Sequence, residues 1–459
     1  MADCRKESET IFRAYDVRGI YGSDLSESVA YRLGSSFGKF CGQRGTVLVG
    51  QDVRPSSESL VNSLIEGMLS AGVNVSHIGI VPSPVLYHST RNLGARAGVM
   101  TTASHLPPEW NGFKFCDNNG LVVSEGNGLE SIKDIFNSDG EPSKKRGNKM
   151  LYSNSIDDYV SQMVDKLTIH SEFKVTVDYA NSVTALVVPQ ILDRFLIEHV
   201  DINEELKETS PNRPSEPTVE SLSQLKEEVK ENGSSLGIAY DGDGDRVAFV
   251  DEFGNVHSSG NTTIPIFAKY YLSGGAGGKV VADVTCSDSV KEYIEKLGGE
   301  LISVRVGHSF CAMAVKNHQA LFGGQYSGHM SFPEMAYADD AIFASLRMIE
   351  VVQHMGPFSK LVKDLPKFYS TRIKEIVCND QVKFRVIDEC TRIVTQMRIF
   401  ADTKDGLKIY NDDKSAWVLV RASNTSPVIR INSDGKDEDD VKEMQFLGED
   451  IVREAMDGC

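Results

Sequence analysis

The chain has 459 residues, 41% hydrophobic and 25% charged, with a formal net charge of −17. That length exceeds what one hydrophobic core can cover and predicts about three or four domains of ordinary globular composition, while the acidity, offset by no long basic run, argues against nucleic acid as a partner. Eight cysteines lie scattered without C-x-x-C spacing, which predicts reduced thiols instead of a disulfide frame or zinc knuckle. The amino-terminal decapeptide is charged and lacks an apolar h-region, and no apolar run approaches bilayer length, so a cytoplasmic protein without a membrane partner is expected.

In chain order, residues 11–23 read as a short strand ending in a turn, with Arg18 before Gly19 placed to aim a guanidinium into a cleft. A repeat follows. Apolar strand 47–51 ends at Asp52 and leads through Ser56 and Ser57 into a helical stretch. Strand 175–177 ends at Asp178, with Asn181, Ser182 and a helix-like 185–195 beyond it. Strand 280–282 ends at Asp283, followed by Ser287 and helical 290–297. An apolar strand, an aspartate and a polar helix start are the grammar of a strand–helix crossover. Three similar α/β domains in series are expected.

Residues 137–149, rich in Ser, Gly and Lys, read as a linker or exposed turn, and Pro211, Pro214 and Pro217 lead into a helix over 219–232 that stops at Gly233. After Pro366 the pattern changes to strand-like 373–377 and 416–420 and a closing amphipathic helix over 437–456, which predicts a smaller α+β domain. The expected boundaries are 1–150, 151–254, 255–366 and 367–459.

The stretch that packing explains least is 240–246, Tyr-Asp-Gly-Asp-Gly-Asp-Arg. Asp241, Asp243 and Asp245 repel one another unless a cation sits among them, and the glycines let the backbone curl so their oxygens converge. Oxygen-only ligands favour a hard cation such as Mg²⁺ or Ca²⁺. An EF-hand loop starting at Asp241 would reach Glu252 at its twelfth position, but Arg246 stands where the sharp turn wants glycine, and the apolar flanks look like strands. A strand–loop–strand metal site is the better reading.

Ser104 follows a buried strand at 97–100 and precedes Pro107-Pro108, which hold the segment as a loop. His105 adjoins it and Lys114 lies downstream, so a nucleophile has acid–base partners nearby; a turn or capping serine is the plainer reading. In Gly323–His329, Gln325 and Ser327 would point to one side of an extended segment, as in a sugar- or phosphate-recognising loop, and His329 adds a titratable ring that could equally be structural. Residues 421–425 put Arg421, Ser423, Asn424 and Thr425 close together, a donor density that suits a phosphate dianion or a polar turn.

Taken in order, these four loops resemble the α-D-phosphohexomutase family, in its phosphomannomutase/phosphoglucomutase branch. Residues 102–105 and 111–114 resemble its phosphoserine loop, 241–246 its metal loop, 324–329 its sugar loop and 421–425 its phosphate loop; 12–19 and 211–218 are also similar. The resemblance implies three α/β domains with mixed sheets between helices and a smaller α+β domain around a central cleft. It implies a hexose-phosphate mutase, an isomerase that interconverts hexose 1-phosphate and hexose 6-phosphate (mannose and/or glucose) through phosphoserine at Ser104 and a bound 1,6-bisphosphosugar. Mg²⁺ would be held by Asp241, Asp243 and Asp245 with a phosphoserine oxygen of Ser104. Arg246 and Lys114 would flank the reacting oxygens, with Lys114 as general acid/base and His105 and His329 as further catalytic candidates. Arg421, Ser423, Asn424 and Thr425 would grip the other phosphate, with Tyr15, Arg18, His308, Gln325 and Ser327 as further substrate contacts. The bisphosphorylated hexose would serve as activator and intermediate, and the protein would be a monomer or dimer.

There are departures. Gln325 stands where the family usually carries glutamate, Leu106 replaces an asparagine, Trp110 a tyrosine, Ser426 a glutamate, and Thr285 often a lysine. An amide keeps a hydrogen bond but loses the charge, so hexose selectivity is open. A phosphoglucosamine mutase, and a non-catalytic sugar-phosphate-binding protein on the same scaffold, are the alternatives.

Overall fold

The structure, a computed structural model, describes residues 11–42, 45–138, 143–424 and 426–458. It forms four sheets in sequence. The first holds β1 (Val17–Ile20), β2 (Thr46–Gln51), β3 (Asn74–Ile80), β4 (Ala97–Thr101), β5 (Trp110–Asp117) and β6 (Lys149–Leu151) in the order β1-β5-β4-β2-β3-β6. The second holds β7 (Lys174–Asp178), β8 (Glu198–Ile202), β9 (Leu236–Tyr240), β10 (Val247–Val250) and β11 (Val256–His257) in the order β11-β10-β9-β7-β8. The third is β13-β12-β14-β15, from β12 (Gly278–Asp283), β13 (Gly299–Val304), β14 (Phe322–Gly324) and β15 (Met330–Ser331).

The expected repeat is present and goes further than the sequence pattern. In each of these sheets a central strand ending at or just before the repeated aspartate (β2, β7, β12) lies parallel to the next strand in sequence (β3, β8, β13). On its other side it is parallel to β4, β9 or β14. Those strands turn back antiparallel into β5, β10 or β15. The three hairpin loops so formed are 102–109, 241–246 and 325–329. Three of the four segments that carry chemistry are therefore the same loop in three copies.

β16 (Tyr369–Ser370), β17 (Lys374–Val377), β18 (Ala401–Asp402), β19 (Leu407–Tyr410), β20 (Ala416–Ala422) and β21 (Val428–Gly435) form an antiparallel fourth sheet under helices Lys383–Gln396 and Glu438–Asp457. The last helix is capped by Asp437, whose side chain accepts from the N–H groups of Asp439 and Asp440. The expected helix at 219–232 starts later, at Ser223, and ends at Gly233 in a left-handed conformation. Its expected first turn is taken up by Ser221, whose hydroxyl donates to the carbonyls of Glu216 and Thr218 and pulls the chain into a turn. Part of the 137–149 linker, 139–142, lies outside the described residues.

Core packing joins the first three units. One contiguous apolar cluster runs from Leu48 and Tyr87 through Val175 and Tyr240 to Phe343 and Leu361. Helices Glu27–Phe40 and Ser57–Ser70 close a second cluster on the first sheet and meet through glycine: a Cβ on Gly34 would stand 2.0 Å from the Leu64 carbonyl oxygen. The fourth sheet has its own cluster. Among the described residues no helix is long and apolar enough to cross a membrane, and the described cysteines at 41, 116, 286, 311, 378 and 390 are buried.

His88 sits on helix Ser83–Asn92, edge-on to the Tyr159 ring at 5.5 Å, with neither ring nitrogen hydrogen-bonded. Burial, with a smaller push from Arg91, lowers its pKa from 6.5 to about 4. The folded state therefore binds this proton less readily than the unfolded chain, and stability falls as pH drops from about 6.5 towards about 4, by up to roughly 3 kcal/mol. His88→Phe keeps the ring contact and should flatten that part of the curve. Melting temperatures of both proteins across this range measure the difference, and parallel curves would remove His88 from the account.

Candidate active site

The β4–β5 loop carries Ser104 at φ 54°, a left-handed conformation uncommon for a residue with a side chain. It is held there from both ends. The Ser104 N–H donates to Thr102 Oγ1 at 2.9 Å, and its carbonyl accepts from Arg54 at 2.7 Å. The hydroxyl is thereby aimed out of its own unit: Ser104 Oγ donates to Asp241 Oδ2 at 2.6 Å and lies 3.2 Å from His105 Nδ1.

The β9–β10 loop is a tight nest. Asp241 Oδ1 accepts the N–H groups of Gly244, Asp245 and Arg246 at 3.0–3.1 Å, which leaves Oδ2 for Ser104. A ligand oxygen from each of Asp241, Asp243 and Asp245 lies within 4.8 Å of the others, and all three residues are buried. Lys114, on β5 and 1% exposed, reaches across to Asp243 Oδ2 at 2.6 Å and Asp245 Oδ2 at 2.5 Å. Ser83 Oγ also donates to Asp243 Oδ2, at 2.6 Å. Asp243 Oδ1 and Asp245 Oδ1 are buried without a hydrogen-bond partner. Orphaned carboxylate oxygens in an all-oxygen set fit a hard divalent cation. The EF-hand alternative fails because both flanks are strands and Glu252 turns away to Ser359.

Burial and the neighbouring Asp245 and Asp243 push Asp241 well above the usual carboxylate range. Burial acts the same way on Asp245, but Lys114, then His329 and His308, outweigh it and hold that carboxyl well below the range. Burial alone would discharge Lys114; Asp243 and Asp245 overcome it and keep its proton on well above the usual lysine value. His105 and His329 go the other way, lowered well below 6.5, His105 by burial and then by Arg246, His329 by burial despite Asp245. Both rings are neutral near pH 7.

Arg246 joins the metal loop to the β14–β15 loop: its Nε donates to His329 Nε2 at 3.0 Å and its Nη1 to Glu216 at 2.8 Å. His308 starts helix His308–His318 and stacks on His329 at 5.3 Å, with Tyr15 edge-on to it at 4.8 Å. Arg18 is buried against Asp16 at 2.6 Å, with Nη1 unpartnered. The expected extended run at 325–327 is instead a tight turn, in which the Gln325 N–H donates to the His329 carbonyl and the Gly328 N–H to the Gln325 carbonyl. Gln325 and Ser327 therefore do not share a face: Gln325 is buried with Nε2 unpartnered, and Ser327 is exposed.

In the fourth unit Arg421 is 3% exposed, with Nε and Nη2 unpartnered by hydrogen bonds and Asp405 3.5 Å from Nε. Ser423 and Asn424 follow it, with Asn424 donating to the Val306 carbonyl at 3.3 Å; Thr425 lies outside the described residues. Lys383 Nζ props the loop from behind through the carbonyls of Ser423 at 2.6 Å and Ser426 at 3.2 Å.

Several site residues are silent in the sequence. Asp339, buried and 2.7 Å from His308 Nδ1, orients that ring, and Glu216 anchors Arg246. The adjacent acids Asp339-Asp340 at a helix start were the available signal for the first; the second lies in the family-like stretch 211–218, which gave it no role of its own.

Phosphoglucomutase/phosphomannomutase domain descriptions match the chain in order: alpha/beta/alpha domain I over residues 9–143, domain II over 131–254, domain III over 259–369 and the C-terminal domain over 382–446. The chain belongs to this family. It is 35% identical to a phosphomannomutase of Methanocaldococcus jannaschii across 94% of this chain and 95% of that one. It is 31% identical to a probable phosphoglucosamine mutase of Pyrococcus horikoshii across 96% and 97%. The crystal structure of a phosphoglucomutase/phosphomannomutase family protein from Burkholderia thailandensis superposes with a TM-score of 0.87 at 27% identity over 98% of each chain.

The approach of the two loops sets a steric limit. A Cβ on Gly242 would stand 2.4 Å from the Ser104 carbonyl oxygen, which Arg54 already holds. Gly242→Ala should cost about 1–3 kcal/mol of stability and part the Ser104–Asp241 contact. Thermal unfolding, with Mn²⁺ titration as a reporter of the acidic loop, checks it; an unchanged melting temperature and affinity would count against the close fit.

Proposed function

We propose that the protein interconverts hexose 1-phosphate and hexose 6-phosphate, of mannose or glucose, using Ser104 as the carrier of the phosphoryl group. Family membership makes the chain an isomerase. The observation that carries the residue-level reading is the 2.6 Å bond from Ser104 Oγ to Asp241 Oδ2, which joins a serine to a buried acidic cluster 137 residues later.

With Ser104 phosphorylated, its P–O bond breaks as a bond forms to the free sugar hydroxyl, whose proton passes to a base. His105 is neutral and able to accept it, whereas the one lone pair of neutral His329 already receives the Arg246 Nε–H. Lys114, protonated against Asp243 and Asp245, serves as a proton donor and fixed positive charge. The resulting bisphosphosugar turns within the site and returns its other phosphoryl group to Ser104 Oγ. Asp241, Asp243 and Asp245 would hold Mg²⁺, which when bound neutralises charge developing on the transferred group. Arg421, with two buried unpartnered nitrogens, grips the phosphate that is not reacting, and that binding energy helps fix the reacting end. Arg18 and Tyr15 flank the same space. Gln325 Nε2, buried and unpartnered, is a donor awaiting a sugar hydroxyl.

The intact mass of purified protein should include one phosphoryl group that Ser104→Ala lacks, and that variant should lose turnover by at least about a thousandfold. A phosphoryl group persisting in Ser104→Ala would sink the assignment. Chelation should abolish turnover and Mg²⁺ restore it. Assays with glucose, mannose and glucosamine 1-phosphates rank the substrates; glucosamine phosphate is the second reading, supported by the Pyrococcus relative. Tight binding without turnover of all three would favour a sugar-phosphate-binding protein. Gln325→Leu, which removes the amide at similar volume, should lower kcat/KM by about 10–100-fold.

A further inference from the structure

The three aspartates that end the repeated strands take no part in the proposed chemistry, yet they are buried to 2%, 1% and 4% exposure. Their hydrogen bonds follow one plan. In each, Oδ1 accepts the backbone N–H two residues on: Asp52 from Arg54 at 3.1 Å, Asp178 from Ala180 at 3.0 Å, and Asp283 from Thr285 at 2.8 Å. That Asx turn ends the strand. Oδ2 is left facing the neighbouring hairpin, and there the partners lead to the site.

Asp52 Oδ2 accepts from Arg54 Nε at 3.1 Å. The rest of that guanidinium donates to four carbonyls of the serine loop: Ser104 and Leu106 at 2.7 Å, Pro107 at 2.7 Å and Trp110 at 3.0 Å. Asp178 Oδ2 accepts from Arg213 Nε at 2.7 Å, and Arg213 Nη2 donates to the Tyr240 carbonyl at 2.8 Å, on the residue before Asp241. Asp283 Oδ2 needs no intermediary: it accepts the N–H of Tyr326 at 3.2 Å, on the residue after Gln325.

We propose that Asp52, Asp178 and Asp283 are positioning residues, each bracing the functional loop of its own repeat, so that one carboxylate device used three times sets the serine, the metal loop and the sugar loop independently. The kinetic part rests on the mutase reading; the structural part does not. A planar guanidinium is suited to the relay because its fork can collect several carbonyls at once, whereas an ammonium cannot. A carboxylate that only supported folding would have no reason to connect to a different functional loop in each unit.

Asp52→Asn, Asp178→Asn and Asp283→Asn weaken the Oδ2 contact while retaining an oxygen for the turn. Losing such a supporting partner typically costs about 10–100-fold in the property it supports. Asp52→Asn should lower kcat and phosphoserine content about tenfold with KM unchanged. Asp178→Asn should weaken Mn²⁺ binding about tenfold, and Asp283→Asn should raise the KM for hexose phosphate by a similar factor. Hydrogen exchange of each variant supplies a readout without turnover: faster exchange confined to 102–110, to 240–246 or to 325–329, respectively. Should Asp52→Asn fail to fold, Arg54→Lys reads the same loop. Exchange that rises in all three loops together, or in none, or kinetic losses that merely follow melting temperature, would overturn the proposal. A wild-type protein with no turnover and no phosphoryl group would instead overturn the mutase reading and leave the exchange test standing.

Discussion

Three carboxylates buried within 4.8 Å of one another are the constraint on which the site is built. In a low-dielectric interior they cannot all stay ionised unless positive charge lies among them, and Lys114 supplies one such charge from the neighbouring unit. The ion pairs therefore act as a joint between the first two sheets as well as an electrostatic balance. Removing either side of such a buried pair typically costs about 3–5 kcal/mol, because the survivor is left uncompensated. The same requirement explains why Ser104 leans out of its own hairpin in a strained conformation and why Gly242 has no room for a side chain.

The charge pattern across the site is asymmetric. One end gathers Asp241, Asp243 and Asp245 with Lys114; the other presents Arg421, buried with nitrogens unspent. A net charge of −17 gives no hint of this local cation, since overall charge speaks of the surface and not of a pocket. The buried amide of Gln325, like Arg421, keeps a nitrogen donor without a hydrogen-bond partner.

What the sequence disclosed was mostly local. Alternating aspartate and glycine between apolar runs disclosed the converging acidic loop, and strand–aspartate–helix disclosed the repeat, because both signals lie within a dozen residues. Partners supplied from distant segments could not be read: Lys114 to Asp243 spans 129 residues and Arg246 to His329 spans 83. Ser327 was misplaced because an extended strand was assumed where two backbone hydrogen bonds close a turn. The helix start at 219 failed for a similar reason, since the Ser221 hydroxyl competes for backbone carbonyls. The resemblance to a family bridged much of this distance, but it did not disclose that the serine, metal and sugar loops are equivalent hairpins.

The division of the apolar core carries a consequence for how the molecule comes apart. The first three units share one continuous cluster, whereas the fourth keeps its own and meets the rest through the small patch of Val284, Trp417 and Leu419. Polar links add to the contact, among them Arg13 to Asp380 at 3.0 Å, Ser287 to Asp434 at 2.7 Å, the Val306 N–H to Asp405 at 2.8 Å and Lys408 to Asp288 at 3.2 Å. Detaching the carboxy-terminal unit exposes little apolar surface, while separating any two of the others tears a shared core. Opening at this seam accordingly disturbs less apolar packing than opening within the first three units. Opening there moves Arg421 with the fourth unit and leaves the Lys114–Asp243–Asp245 cluster, which lies wholly within the first two units, intact.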